Sequence, residues 1–155
     1  MNRFALLLPL ALLLAVPVSA HNGVDDEPHH GGVVRPHKDL HLETAVLPAG
    51  GLQIYFSDAM GEPLPASAVS QVAVEIDHPG ARTDAIDMAI DPTGVFWTGK
   101  SQPLTDAKSV VRVGFSFNGA QGLVEMPGTA LIAAAKKGPP KKTASAKPAE
   151  KPHGH

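Results

Sequence analysis

Residues 111–119 read Val-Arg-Val-Gly-Phe-Ser-Phe-Asn-Gly. Val111, Val113, Phe115 and Phe117 fall on alternate positions, with Arg112, Gly114 and Ser116 between them. Side chains two apart in a strand share a face, so the run predicts a strand with one apolar side. Asn118-Gly119 then supplies the pair that a two-residue hairpin favours, because both central residues of that turn take positive φ. Leu123 to Met126 follows as the returning strand.

The same period of two recurs upstream. Leu40, Leu42, Thr44 and Val46 alternate with His41, Glu43 and Ala45. Leu52, Ile54 and Phe56 alternate with Gln53, Tyr55 and Ser57. Val72 to Ile76, Ala85 to Ile90 and Val95 to Thr98 are further short runs. Turn-forming residues separate them: Pro48 to Gly51, Asp58 to Pro65, His78-Pro79-Gly80 and Asp91 to Gly94. About six to eight short strands so spaced predict an all-β chain, folded as an immunoglobulin-like antiparallel β-sandwich.

Residues 1–20 read as a secretory signal peptide. Asn2-Arg3 gives a short positive start, Phe4 to Val16 an apolar run, and Val18-Ser19-Ala20 a small-residue cleavage signal. The run is too short for a spanning helix, so no stable membrane insertion is expected. The remaining chain divides into a flexible histidine-rich arm over 21–32, a β-sandwich domain over 33–127, and a disordered Lys/Pro/Ala-rich tail over 128–155. Within that tail, Ala130 to Lys137 has the composition for a helical turn or two. There is no cysteine, which an exported chain in a bacterial periplasm tolerates. Residues 31–127 carry six basic and eleven acidic residues, a net of −5, while 128–155 carries a net of +5. A mildly acidic body argues against nucleic acid and for cations.

Five of the eight histidines lie between His21 and His41. His41 and Glu43 share a strand face, opposite to Leu40 and Leu42, and are therefore expected to point outward. An imidazole beside a carboxylate can supply two metal ligands, or one ligand and the group that orients it. His29-His30-Gly31-Gly32 puts two imidazoles before a pair of glycines that permit a tight bend. A hairpin-like return around Pro36 would bring His30 toward His41, with His37 on the turn. His21 would offer its ring and a free α-amine to one ion if cleavage falls after Ala20. The candidate metal ligands are thus His30, His41, Glu43, His29, His37 and His21, for a copper or zinc ion. Met60 is the best-placed thioether, in the turn Asp58 to Gly61. The opposing interpretation is a solvated polar strand face followed by incidental histidines, with His78 a turn residue and Trp97 core packing.

Catalytic signatures are missing. The chain has no G-x-S-x-G elbow, no phosphate-binding or dinucleotide glycine loop and no H-E-x-x-H pair. A non-enzymatic role is expected.

The order His29 to Glu43, then Gly51 to Pro65, then strands ending in Val111 to Gly119, resembles a small periplasmic heavy-metal-binding domain. That domain occurs near the N-terminus of adaptor subunits of resistance-nodulation-division cation-efflux pumps and also as free-standing proteins. The matching positions are His30-Gly31-Gly32, His41, Glu43 and the D-x-x-G-x-P turn from Asp58 to Pro63. The resemblance covers about His29 to Met126. It implies an immunoglobulin-like sandwich that binds copper, silver, zinc or a related ion and buffers it or hands it to an efflux or acceptor protein. The helical hairpin and lipoyl-like segments of the adaptors are not recognised in the sequence, so an adaptor role is not expected. A weaker likeness is to CopC-like copper carriers, through the mature N-terminal histidine and the strand Ile54 to Met60. The function expected is therefore a periplasmic carrier, buffer or heavy-metal resistance factor. The alternative is a cell-envelope scaffold or interaction module.

Overall fold

A computed structural model of the chain describes residues 27–141. Residues 1–20, expected from sequence to be a signal peptide, and His21 lie outside these residues, as do His153 and His155. Ten strands and one α-helix follow in the order β1 (Val33–His37), β2 (Leu40–Val46), β3 (Leu52–Asp58), β4 (Pro63–Leu64), β5 (Val69–Asp77), β6 (Asp84–Ile86), β7 (Met88–Ile90), β8 (Trp97–Gly99), β9 (Val110–Phe117), β10 (Ala120–Pro127) and α1 (Gly128–Lys137). All strand pairs are antiparallel. One sheet runs β1-β2-β3-β8-β7, with β4 also on β3, and the other runs β10-β9-β5-β6.

The alternating residues explain the layering. Leu40, Leu42, Leu52, Ile54 and Phe56 of the first sheet share a core with Val74, Ile76, Val111, Val113, Phe115 and Met126 of the second. Each face that meets this core is built from every second residue, as the period of two requires. The β9–β10 hairpin turns at Asn118 (φ 50°) and Gly119 (φ 77°), the two positive values its tight turn needs. The run from Ala85 to Ile90 is divided rather than continuous. Ile86 pairs with Val74 in one sheet and Met88 with Gly99 in the other, so the chain changes sheet at Asp87.

Two segments differ from the sequence expectation. Val33–His37 is a strand. Pro36 sits in it without harm because β1 is the edge of its sheet, where a missing N–H costs no ladder bond. In the tail the helical turn or two expected over Ala130 to Lys137 is present and longer. Gly128–Lys137 is helical and ends at Gly138 (φ 70°), whose N–H donates to the Ala134 carbonyl. Leu131 is fully buried in the core and anchors this helix. Lys136 and Lys137 lie in its last turn, where positive charge suits the helix dipole. Among the described residues, no helix is long and apolar enough to cross a membrane.

Candidate functional site

The β1–β2 hairpin decides which histidine meets which carboxylate. Val34 lies opposite Glu43, Pro36 opposite His41 and His37 opposite Leu40. The chain preceding β1 therefore returns over Glu43 rather than over His41. Glu43 is the centre of the resulting site. Its Oε1 accepts the backbone N–H of His30 at 2.7 Å and of Gly32 at 2.8 Å. Its Oε2 accepts the N–H of His29 at 2.9 Å and meets Nδ1 of His30 at 2.8 Å. Four donors on two oxygens use the full acceptor capacity of a carboxylate.

Electrostatics follow from this geometry. Burial pushes the Glu43 carboxyl up. The Gly32 N–H, the His30 ring and the N–H groups of His30 and His29 outweigh that and hold it below its ordinary value of 4.5. An ionised carboxylate accepts only, so Nδ1 of His30 carries the proton of the shared bond. In the neutral ring that leaves the lone pair on Nε2.

One face of the His30 ring is also held by stacking. Tyr55 lies directly across from Glu43 on β3. Its ring stacks on His30 with centroids 3.6 Å apart and planes 2° from parallel. Phe96 packs on Tyr55 at 5.0 Å. Burial raises the Tyr55 hydroxyl above its ordinary pKa, and the charges of Glu43 and Asp91 add to this. The His30 side chain is still 41% exposed, so a stacked, oriented imidazole keeps an edge in solvent. A cleft of about 40 Å³ opens beside it, lined by Glu27, His29, His30, Tyr55, Gly61 and Pro63. Met60, next to Gly61, is 76% exposed, and Asp58 fixes its turn by accepting the Met60 and Glu62 N–H groups.

The six sequence candidates are not gathered into one set. His29 and His30 are neighbours, with ring centroids 6.5 Å apart at 76°. Two imidazoles on one tetrahedral ion hold their centroids about 5 Å apart, given metal–nitrogen bonds of about 2.0–2.1 Å. Glu43 is present at the site as the group that orients His30, its oxygens already engaged. His41 and Glu43 do lie on the face away from the Leu40–Leu42 core side, but the expectation that they point into solvent is corrected. Each is only 6% exposed, and Glu43 is covered by the chain before β1, whose N–H groups at His29, His30 and Gly32 bond its carboxylate. His37 is turned away. By strand parity it shares a face with Arg35 and Val33, and its ring meets Phe115 edge-on at 5.4 Å. His21 lies outside the described residues. Among the described residues, no group of three or more His, Cys, Asp or Glu side chains that could hold a metal comes together.

Two participants escaped the sequence reading. Tyr55 had the correct parity, outward with Gln53 and Ser57, but its place opposite Glu43 depends on a register that only the fold fixes. The second is the end of α1. Gly31 (φ 79°) lies so close to it that a Cβ there would sit 2.8 Å from the Gly138 carbonyl carbon and 2.8 Å from the Pro139 nitrogen. No family model matches the chain, and no curated protein or solved structure matches it.

Proposed function

We propose that this chain is an exported, periplasmic metal-binding protein, a carrier, buffer or resistance factor for copper or zinc, with His30 as its principal donor. Its sandwich is then of the immunoglobulin-like kind, and its partner is an acceptor or efflux protein that takes the ion on. The observation that carries this reading is the Glu43–His30 pair. A buried carboxylate bonded to one ring nitrogen orients the imidazole and raises the basicity of the other nitrogen, the arrangement metal-ligating histidines use. The stack on Tyr55 removes rotational freedom that binding would otherwise have to restrict. Export rests on the residues of 1–20, and preference for a cation on the acidic body. Because only neutral imidazole ligates, binding competes with protons and release is favoured by acid.

Calorimetric titration of the full chain with Cu(II) and with Zn(II) tests the reading. His30→Ala is expected to weaken binding by at least about 10-fold, and Glu43→Gln by about 10-fold through loss of orientation. Unchanged affinity in His30→Ala removes the assignment.

A second reading, a scaffold or interaction module of the cell envelope, is favoured by one observation: Glu43 spends its oxygens on backbone N–H groups, as a purely structural clamp would. That reading requires the melting temperature to stay constant on adding metal, whereas an ion bound to the native state must raise it.

A further inference from the structure

The β5–β6 turn carries a second imidazole–carboxylate pair, on the sheet that does not hold Glu43. His78 directly follows β5, and Asp84 opens β6. Asp84 lies opposite Ile76, and His78 is two residues beyond Ile76. By strand parity both therefore continue the core side of the sheet to its rim. Asp77 takes the other face, where the Thr83 hydroxyl and the Arg112 guanidinium occupy its carboxylate. The turn between them is preset by composition. Pro79 fixes one central φ, Gly80 (φ 68°) supplies the positive one, and the Ala81 N–H donates to the His78 carbonyl at 3.1 Å.

The His78 ring is oriented from the neighbouring strand. Asp77 pairs with Val110, so the same register continued by one residue puts Ser109 beside His78. Ser109 is only 1% exposed, and its hydroxyl meets His78 Nδ1 at 3.0 Å. The other ring nitrogen, Nε2, faces Asp84 Oδ2 at 3.3 Å. That is longer than the about 2.7–2.9 Å of a charge-assisted hydrogen bond. It matches the about 3.4 Å between two donors on one tetrahedral zinc ion, whose bonds are about 2.0–2.2 Å. The two side chains are 26% and 46% exposed, which leaves the gap between them open to solvent.

We infer that His78 and Asp84 form a second metal site, taking one Zn(II) between Nε2 and the carboxylate with water in the remaining positions. The site is separate from His30 and does not rest on the reading above. One imidazole with one carboxylate suits a divalent ion of borderline softness over hard cations. Ser109 is a positioning residue: by accepting the Nδ1 proton it leaves the Nε2 lone pair to the ion.

Nitrogen-15 NMR of the His78 ring during Zn(II) addition to the full chain tests this, in the parent and in His30→Ala, Asp84→Asn and Ser109→Ala. Parent and His30→Ala are expected to show the same saturable shift of His78 Nε2, with Nδ1 protonated throughout. Asp84→Asn and Ser109→Ala are each expected to weaken the binding read at His78 by at least about 10-fold. The parent's response stands whether or not a variant folds. A His78 ring unmoved at saturating Zn(II) overturns the inference, whatever His30 does. So does a His78 response that disappears in His30→Ala, which would trace it to the His30 site. Parent-like affinity in Asp84→Asn or Ser109→Ala overturns the site as built. A response at His78 with none at His30 supports this site and removes the reading above.

Discussion

Glu43 and Asp91 show how much structure a single carboxylate organises in this molecule. Glu43 ties three backbone N–H groups and one imidazole to β2. Asp91 does the same for the turn before β8, accepting the N–H groups of Thr93, Val95 and Phe96 and the Thr93 hydroxyl. Burial pushes the Asp91 carboxyl up, but the Thr93 hydroxyl and the three N–H groups prevail and hold it at about 2, against an ordinary 3.8. A carboxyl whose pKa is lower folded than unfolded stabilises the fold above its unfolded pKa. That stabilisation is lost as pH falls from about 4 to about 2. Asp91→Asn is therefore expected to be less stable than the parent at pH 7 and to lose less stability on acidification across that window. Urea denaturation at pH 7, 4 and 2.5 measures both. Parallel stability–pH curves for the two proteins would remove Asp91 from the account. The role of Glu43 was half legible in the sequence. Its pairing with an imidazole followed from residue type, but its use as a backbone clamp did not, because backbone N–H groups leave no trace in side-chain pattern.

At the scale of elements, strands with clean alternation were legible and the rest were not. β2, β3 and β9 could be read from their apolar period, and the β9–β10 turn from Asn118-Gly119. β1 could not, because Pro36 and His37 interrupt its pattern and only its edge position makes them acceptable. This strand matters most for the site. Its register brings the preceding chain, with His30, over Glu43 and turns His37 to Phe115. A shift of one residue would exchange every face. The helix α1 was also underread, since a single buried Leu131 among alanines and lysines resembles a solvated tail. The burial of Leu131 makes a measurable claim. Leu131→Ala is expected to destabilise the protein by about 3 kcal/mol and to speed amide exchange at Gly32, whose N–H bonds Glu43 and whose neighbour Gly31 packs against the end of α1. A loss well under 1 kcal/mol would mean that α1 is not part of the cooperative unit.

On the scale of the whole molecule, two antiparallel sheets form a frame on which both ends of the described chain meet. The frame holds His30 at an exposed margin, oriented by Glu43 and stacked on Tyr55. The general class of this fold was legible because burial in β-sheets imposes a two-residue period on sequence. The site was legible only in its ingredients, because five histidines in one stretch do not say which strand face each will take. What marks His30 is position: a stacked ring with one nitrogen bonded to a carboxylate and an edge in solvent. The most direct measurement is nitrogen-15 NMR of the His30 imidazole during Zn(II) addition near neutral pH. The expected result is a protonated Nδ1 before and after addition, with the Nε2 resonance shifting as one ion binds. A His30 ring whose nitrogen resonances do not move at saturating Zn(II), or one protonated at Nε2 in the metal-free protein, would contradict the account.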